Sequence, residues 1–364
     1  MTSVTRHVES VTGRAVVPAW WGPLYEASCN RSIFLSQAWT QNWLDVYGAD
    51  FEVEWIHWTS GEEVVGGCLL LRRTIAVRFV RLRTLYVNAT GDARVRTPLA
   101  EFNDILHLRG FEDEIAADFA QIVRNMSWSR LILSGYLEQS LLGRCIPELP
   151  ACRIEREVRV APFVDLMALG DEPFEAALSG NTRYQIRRTN RLYEQRFGAV
   201  TISRADETGQ AQRSLGELAA LHNARWKERG IKGSFENTEV AEFHRRMVAQ
   251  LVPRGTLDLM VARAGERAIG YLYNFVDRGK VYFFQSGFVA EDDSKVKPGL
   301  LTHALAIEYY RRGGLREYDF LAGDAQYKRS LAKHHRELSW TKVYRDKLSM
   351  RALLLVRNAV RMKG

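Results

Sequence analysis

Side chains that can move protons are concentrated between residues 318 and 331, which read YDFLAGDAQYKRSL. An apolar, strand-like run opens this segment and a helix-like run closes it, so the polar residues come where a strand gives way to a helix. They are Asp319, Asp324, Tyr327 and Lys328. Carboxylates can act as general bases, and a phenol or an ammonium group can donate a proton. The combination suits acid–base chemistry at the end of a strand.

A structural explanation of the same residues is also open. Aspartate is a favoured N-cap residue, so Asp324 could cap a helix that begins near Ala325. Lys328 would then lie four residues further on and could pair with Asp324 on that helix. The segment by itself does not decide between capping and catalysis.

A second candidate site is the predicted helix start in SKVKPGLLTHAL, residues 294–305. The N-terminus of a helix carries about half a positive charge and unsatisfied N–H groups, and it binds anions readily where glycine lets a phosphate approach. Pro298 and Gly299 form the predicted first turn, and Lys295 and Lys297 lie just upstream. Because such starts are also common in helices that bind nothing, the phosphate site and an ordinary helix start both remain open.

The elements that must position these segments follow from hydrophobic periodicity and turn residues. In the first half we predict a helix, two strands, a helix and a strand, over residues 36–48, 51–58, 63–73, 111–126 and 129–135. In the second half we predict helices, a three-strand meander, and then helix, strand, helix and strand, over residues 181–198, 212–230, 244–252, 257–263, 267–276, 280–288, 298–312, 315–321, 325–334 and 336–345. Pro162 lies in an extended stretch between the halves, where we predict the domain crossover.

The order of the second half, with a glycine-bearing helix after the meander, resembles the acyl-CoA-binding core of the GNAT superfamily. More closely, the chain resembles the CelD/BcsL-type acetyltransferases, which are related to the FemABX peptidyltransferases and carry two GNAT-like halves in tandem. The matching motifs are FLSQAWTQNWLDVYG, PFVDL, RYQIRRTNRLYEQRFG, LHNARWKERG, PGLLTHALAIEYYRRGG and YDFLAGDAQYKRSLA. This resemblance implies an α/β (α+β) fold of two tandem GNAT-like domains, each a mixed, mostly antiparallel sheet flanked by helices.

We accordingly predict a flexible N-terminus over residues 1–18, an N-terminal GNAT-like domain over 19–165 and a C-terminal GNAT-like acyltransferase domain over 166–345. A basic amphipathic helix is predicted over 346–364. That helix could contact an acidic membrane or RNA, or it could pack its leucines on the domain.

The resemblance also implies roles for residues of the second half. In a GNAT core, the helix after the fourth strand takes the cofactor pyrophosphate, and the fourth and fifth strands diverge to admit the acyl chain. The implied cofactor-binding residues are Lys297, Pro298, Gly299, Leu300, Leu301 and Thr302. The predicted substrate-binding residues are Trp226, Phe235, Tyr273, Gln285 and His303. Asp319 or Asp324 would be the base, and Tyr327 or Lys328 the donor, in acyl transfer to an amine or hydroxyl of a metabolite or saccharide.

One departure from the GNAT pattern keeps a second donor open. The Q/RxxGxG/A signature of single-domain GNAT enzymes is absent, and FemABX-type relatives take aminoacyl groups from charged tRNA without that loop. The formal charge of +8 favours anionic partners. Arg183, Arg187 and Arg191 recur at i, i+4 as a solvated basic face or as a stripe that faces phosphate or RNA. Acyl-CoA, with acetyl-CoA included, is the first donor hypothesis, aminoacyl-tRNA is the second, and a non-catalytic GNAT-like binding module is the third reading.

Length and composition set the remaining expectations. A chain of 364 residues exceeds a single hydrophobic core and predicts two domains. The cysteines show no paired CxxC spacing and no clustered histidines, which predicts free thiols and no metal: Cys29, Cys68, Cys145 and Cys152. No segment approaches the roughly 20 apolar residues of a membrane span, and we expect a cytoplasmic protein.

Overall fold

The computed structural model describes residues 4–77, 80–89, 97–348, 350 and 351. Its elements, in chain order, are β1 (Thr5–Val11), α1 (Trp21–Ala27), α2 (Gln37–Tyr47), β2 (Glu52–Ser60), β3 (Glu63–Val77), β4 (Val80–Val87), β5 (Leu106–His107), α3 (Glu112–Asn125), β6 (Arg130–Tyr136), α4 (Leu141–Cys145), β7 (Ala151–Asp165), α5 (Gly180–Phe197), β8 (Val200–Arg204), α6 (Thr208–Lys227), α7 (Thr238–Leu251), β9 (Leu257–Ala264), β10 (Arg267–Asp277), β11 (Lys280–Phe288), α8 (Pro298–Arg312), β12 (Glu317–Asp319), α9 (Gln326–Leu331) and β13 (His334–Arg345). Short 3₁₀ turns connect several of them.

The chain divides into two compact units, of residues 1–158 with 337–364 and of residues 159–336. Both boundaries fall inside strands, β7 and β13, whereas the sequence predicted domain limits after residues 165 and 345. The limits differ because a continuous strand carries no linker-like residues at the position where the chain leaves one unit for the other.

In the first unit, the strands lie in the order β1-β2-β3-β4-β6-β13-β7, and β5 pairs with β3. β4 and β6 run parallel, and the pairs of β2 with β1 and β3 run antiparallel. The apolar face of α3, with Ile115, Phe119 and Val123, packs into one core with Trp58 and Leu131. Helix periodicity in the sequence had placed these α3 residues on one side.

A strand occupies residues 5–11, within the segment of 1–18 that the sequence predicted to be flexible. β1 pairs antiparallel with β2 along its whole length. Six of its seven side chains are exposed, so the segment has no alternation of apolar and polar residues. Backbone pairing forms this strand, and side-chain pattern therefore did not predict it.

In the second unit, the strands lie in the order β12-β11-β10-β9-β8, and the end of β7 pairs with β12. β8 to β11 form an antiparallel meander, and β11 runs parallel to β12. α8 buries Leu301 and Ile307 in one core with Met260 and Leu272 of the sheet. Mixed, mostly antiparallel sheets flanked by helices confirm the predicted fold class.

Capping residues act where the sequence predicted helix ends. Ser36 Oγ accepts a hydrogen bond from the Trp39 amide at 3.2 Å at the start of α2. Ser179 Oγ accepts from the Thr182 amide at 3.2 Å at the start of α5. Gly198 ends α5 with a φ of +98°, a conformation that favours glycine.

Residues 352–364, most of the predicted C-terminal helix, lie outside the described residues. Among the helices of the described part of the chain, none combines the length and the apolar character that a membrane crossing requires.

Candidate active site

Two neighbouring strands of the second unit, β11 and β12, are paired over only a short distance. Their ladder joins three residue pairs, Lys280 to Glu317, Val281 to Tyr318 and Tyr282 to Asp319. β12 then ends, whereas β11 continues for six residues, 283–288. On the other side of β11, the register with β10 shifts between Phe283 and Gln285, which places a β-bulge at Phe284. Because a bulge bends its strand, β11 changes course where its pairing with β12 stops.

Five rings beside this point form what we call the divergence cluster: Phe283, Phe288, His303, Phe320 and Tyr327. His303 of α8 is its centre. Its ring lies 4.5 Å from that of Phe283 in an edge-on arrangement and 5.1 Å from that of Tyr327 in a stacked one. The cluster thus unites residues of β11, α8 and α9 with the residue that follows β12.

His303 is fully buried in this cluster. Its Nδ1 lies 3.2 Å from the Tyr318 hydroxyl, and its Nε2 has no hydrogen-bond partner within the described structure. Burial, with a contribution from the nearby Lys328 charge, lowers the pKa of His303 to about 3. The imidazole is therefore neutral at physiological pH.

Tyr327 stacks on His303 at an interplanar angle of 17°. Burial raises the pKa of its phenol above the usual value. The hydroxyl accordingly keeps its proton at neutral pH, the state that a general acid requires.

Lys328 is buried and tied to the loop that follows β12. Its Nζ donates to the carbonyl oxygens of Leu321 and Ala322, each at 3.0 Å. Leu321 has a φ of +58°, an uncommon conformation for a branched side chain. The ammonium group therefore stabilises a strained loop beside the divergence cluster, and the sequence-based pairing with Asp324 is wrong.

Asp324 pairs instead with Arg329, and both side chains are largely exposed. The N-cap position of α9 is Ala325, without a side-chain cap, so the capping role considered for Asp324 is also wrong. A short loop in extended conformation shifts the helix start by one residue beyond the aspartate. Of the two predicted bases, Asp324 is the one that solvent reaches.

Asp319 is fully buried in an ion-pair network. Its Oδ1 accepts from the Leu321 amide at 2.8 Å, and its Oδ2 contacts Arg336 at 2.6 Å and Lys280 at 3.0 Å. Glu317 pairs with the same two cations. Burial raises the pKa of Glu317, but the Arg336 hydrogen bond and the Lys280 charge outweigh it and leave that pKa below its usual value. Both oxygens of Asp319 are thus hydrogen-bonded or ion-paired, which suits a structural role better than that of a base.

The start of α8 offers backbone donors. Its N-cap residue is Lys297, and no side chain caps the helix. The Lys297 amide donates to Thr189 Oγ1 at 3.1 Å, and Pro298 has no amide hydrogen. The amides of Gly299 and Leu300 are left in the first turn, where an anion can accept from them.

The six predicted cofactor-binding residues divide by exposure. Lys297 is exposed and Gly299 half-buried, whereas Leu300 and Leu301 belong to the core. Thr302 is fully buried, and its Oγ1 has no partner within the described structure. A side chain at Gly270 would place a Cβ 2.4 Å from this oxygen, so glycine there leaves room for it.

The predicted substrate-binding residues do not share one surface with His303. Phe284 of β11 contacts His244 and Tyr273, whereas its neighbour Phe283 contacts His303, so the two rings lie on opposite faces of the sheet. Tyr273 is fully buried, which makes it a core residue and not a pocket wall.

The face of Phe284 carries the other predicted residues. Phe235 contacts His244 and His222, and His222 contacts Trp226. Phe235 is buried, whereas Trp226 and Gln285 are half-buried and can reach a ligand. Sequence alternation did not separate the faces because the bulge at Phe284 interrupts the period of two.

The arginine stripe of α5 lines a surface depression of about 400 Å³, with Gly180, Arg183, Tyr184, Arg187, Arg188 and Arg191 around it. Arg187 pairs with Glu175 at 2.8 Å, and Arg183 donates to the Leu178 carbonyl at 3.0 Å. Tyr184, with 59% of its surface exposed, interleaves an aromatic ring among the cations.

Sequence reasoning missed several residues around the site: Thr189, Lys280, Glu317 and Arg336. The signal for Lys280 and Glu317 was present, since charges inside otherwise apolar strands need partners. Thr189 gave no signal, because only the packing of α5 beside α8 brings it to Lys297.

Residues 180–329 match the family model of the acetyltransferase (GNAT) domain. Among curated proteins, no sequence matches this chain.

Solved structures share the fold at low sequence identity. FemX is 10% identical, with a TM-score of 0.59 over 92% of this chain and 96% of its own. L-PGS from Bacillus licheniformis is 10% identical, with a TM-score of 0.53 over 95% of this chain and 98% of its own. The C-terminal domain of a putative lysylphosphatidylglycerol synthetase from Agrobacterium fabrum is 11% identical, with a TM-score of 0.51 over 86% of this chain and 89% of its own.

Proposed function

We propose that the chain is an acyltransferase, because residues 180–329 match the GNAT acetyltransferase domain model and the fold is tandem GNAT-like. It moves an acyl group from acyl-CoA, acetyl-CoA included, or a related thioester to an amine or hydroxyl of a metabolite or saccharide. The observation that carries the proposal is the combination, in one unit, of the parting of β11 from β12, the bulge at Phe284 and the uncapped start of α8.

The donor's pyrophosphate binds at the start of α8. The amides of Gly299 and Leu300 donate to it, and the helix dipole favours its negative charge. Lys297 is exposed beside these amides and adds a positive charge. Leu300, Leu301 and Thr302 serve this site through the backbone that they hold in place, since their side chains are buried.

The acyl group enters where β11 and β12 part. The nucleophile forms a bond to the thioester carbonyl carbon, the C–S bond breaks, and the departing thiolate takes a proton. Backbone N–H groups of β11 beyond the end of its ladder with β12 stabilise the oxyanion, and the Tyr327 phenol supplies the proton. Neutral His303 orients the phenol ring by stacking, and no covalent enzyme intermediate forms.

The acceptor approaches from the opposite face of the sheet. Trp226 and Gln285, the half-buried residues on that face, contact it, and the loop of residues 228–233 lies next to Trp226 in the chain. Asp324, the aspartate that solvent reaches, takes the nucleophile's proton through water. Asp319 holds β12, Lys280 and Arg336 in place.

A thermal-shift titration with coenzyme A, acetyl-CoA and a longer acyl-CoA tests the donor. A ligand at 100 times its dissociation constant adds about 2.7 kcal/mol of stability, so specific binding raises the melting temperature clearly. Replacement of Gly299 by Glu puts a negative charge and a side chain at the helix start, and we expect it to abolish the shift.

Gly216→Glu is the matched control, because a side chain at this α6 glycine meets no atom within 4 Å. It makes the same change of charge and should leave the CoA response intact. Equal loss of the shift in both variants would remove the pyrophosphate site from the start of α8, and no response of the unaltered chain to any CoA would remove the acyl-CoA donor.

A second candidate, transfer of an aminoacyl group from charged tRNA to form an amide bond, is supported by the arginine depression of α5. The likeness to FemX and L-PGS agrees with it at the level of fold. Arginines with an interleaved aromatic ring suit a phosphate backbone and an unstacked base. A non-catalytic GNAT-like binding module would bind either donor without transfer.

Binding of deacylated tRNA at increasing salt tests this candidate. If Arg188 and Arg191 contact phosphates, their joint replacement by Ala lowers the slope of log affinity against log salt by about 2. Arg213→Ala, on the exposed side of α6, is the control and should leave the slope unchanged. Binding that is weak and equal in all variants would exclude the tRNA donor.

Both donor classes occur in the cytoplasm, where we place the protein.

A further inference from the structure

Three residues of the first unit, far apart in sequence, bring metal-ligating atoms together. Cys29 lies in the loop after α1, His107 ends β5, and Glu112 begins α3. One atom from each, the thiol sulphur, an imidazole nitrogen and a carboxylate oxygen, all lie within 4.8 Å of one another. His107 Nε2 and Glu112 Oε1 are 3.9 Å apart. We propose that these three residues bind a divalent transition metal, Zn²⁺ by the chemistry of the donor set.

The distances require only a small closure around an ion. Zn–S bonds of about 2.3 Å and Zn–N or Zn–O bonds of about 2.0–2.2 Å place tetrahedral ligand atoms roughly 3.5 Å apart. A shift of about 1 Å by the most distant atom, smaller than one rotamer change, is sufficient. Thiolate, imidazole and carboxylate together are a borderline-soft donor set, which suits Zn²⁺ better than Mg²⁺ or Ca²⁺.

Hydrogen bonds to backbone groups already orient two of the three ligands, His107 and Glu112, as a metal site requires. His107 Nδ1 lies 2.9 Å from the Ile105 carbonyl oxygen, so this nitrogen carries the proton and Nε2 presents its lone pair to the cluster. Glu112 uses its other oxygen, Oε2, to accept from the Gly110 amide at 2.8 Å. Each of these two ligands is therefore oriented by one atom and free to coordinate with another.

The loop that carries Cys29 is hydrogen-bonded to β5, the strand that ends with His107. The Cys29 amide donates to the His107 carbonyl at 3.3 Å, and the His107 amide donates to Asn30 Oδ1 at 3.3 Å. Asn30 in turn donates to the Ile105 carbonyl at 2.6 Å. These bonds hold the thiol beside the imidazole in the absence of an ion, so metal binding requires little ordering of the chain.

Access and charge allow an ion to enter. Cys29 is exposed, whereas His107 is buried, so the site opens to solvent on the thiol side. The thiolate and Glu112 provide two negative charges for a divalent ion, and the exposed Arg109 nearby is the opposing charge. Three protein ligands leave the fourth tetrahedral position to water, the arrangement of zinc sites that can act on a small molecule.

Titration of the tag-free full-length chain with Co²⁺ and then Zn²⁺ tests the site. Cobalt bound to a thiolate gives a charge-transfer band in the near ultraviolet and tetrahedral d–d bands in the visible. We expect one equivalent of Co²⁺ to produce both, and Zn²⁺ to displace it. Cys29→Ser should remove the charge-transfer band, and Glu112→Gln should weaken metal binding at least tenfold.

Cys152→Ser is the matched control, since Cys152 is a partly exposed thiol outside the cluster, and it should bind Co²⁺ as the unaltered chain does. Zn²⁺ should also protect Cys29, but not Cys152, from alkylation in the unaltered chain, a readout that does not depend on the fold of a variant. Absence of the bands, their persistence in Cys29→Ser, or alkylation of Cys29 unaffected by Zn²⁺ would overturn the proposal.

Discussion

Burial separates the polar residues that the sequence grouped together between positions 318 and 331. Asp319 and Lys328 are buried and hydrogen-bonded to the chain itself, whereas Asp324 lies in an exposed ion pair. Of these four residues, Tyr327 is the one whose ring belongs to the divergence cluster. The four residues were adjacent in sequence, but only the loop after β12, with Leu321 in a left-handed conformation, decides where each one points.

Replacement of Tyr327 by Phe isolates the hydroxyl, because the ring and its stack on His303 are kept. If the phenol protonates the leaving thiolate, kcat falls by about 10²-fold or more, the typical contribution of a general acid. The KM for the donor should change less than about twofold. Steady-state kinetics with the acyl-CoA that binds most tightly measures both, and an unchanged kcat would remove Tyr327 from the mechanism.

Replacement of Asp319 by Asn tests the structural role of the buried network. The substitution removes the fully buried carboxylate that Lys280 and Arg336 contact, and breaking a buried ion pair costs about 3–5 kcal/mol. Denaturant unfolding of the full chain measures the loss.

Asp324→Asn is the control for that experiment. It makes the same chemical change at an exposed ion pair, which contributes about 0–1 kcal/mol. Equal stability of the two variants would mean that the network around Asp319 contributes nothing to folding.

At the scale of elements, periodicity and turn residues predicted α2, α3, α5 to α9, the meander of β9 to β11 and the last strands. They failed for β1, whose side chains are exposed, for β4, and for the short elements α1, α4, β5 and β8. The site was predictable in part: the start of α8 and the residues after β12 were found. The division of the predicted substrate-binding residues between two faces was not, because the bulge at Phe284 cannot be read from residue types.

The packing of α6 on β11 requires a glycine at position 287, because no side chain fits there. A Cβ at Gly287 would lie 2.6 Å from the Leu218 carbonyl oxygen, a backbone atom that cannot rotate away. Gly287→Ala should therefore lower the free energy of unfolding by about 1–3 kcal/mol, as overpacking does. It should also impair the proposed acceptor site on α6 and β11.

Gly216→Ala, in α6, should change the free energy of unfolding in the opposite direction. Its Cβ meets no atom within 4 Å, and alanine in a helix interior stabilises by roughly 0.5–1 kcal/mol relative to glycine. Urea denaturation of both variants shows whether each substitution raises or lowers the free energy of unfolding. A Gly287→Ala variant as stable as the unaltered chain would show that α6 can shift without cost.

At the scale of the whole molecule, contacts between distant segments bring together residues that no local sequence motif indicates. Cys29 and His107 are 78 positions apart, so no metal-binding spacing along the chain connects them. The same holds for Lys280 and Arg336, which meet across Asp319. Chain length predicted two domains, and composition gave the sign of the net charge. Neither predicted these contacts between distant residues.

The response of the second unit to acid depends most on its two most deeply buried histidines, in addition to His222, whose pKa burial also lowers. Burial lowers the pKa of His244 and of His303 to about 3 each, and both are almost completely inaccessible. The unfolded chain takes up their protons near the ordinary pKa of about 6.5, so below that pH it binds protons that the folded unit excludes. Their contribution to stability is therefore complete above about pH 6.5 and is lost as the pH falls towards 3.

Each histidine lowers the free energy of unfolding by up to about 1.4 kcal/mol per pH unit in this window, and both together by up to about 2.7. Urea denaturation between about pH 7.5 and 5, above the range in which most carboxylates titrate, measures the slope. His303→Phe keeps a ring of similar size and removes one titrating group, so the slope should fall by about half. A stability that is constant over this range would mean that the two imidazoles are hydrated and charged in the folded chain.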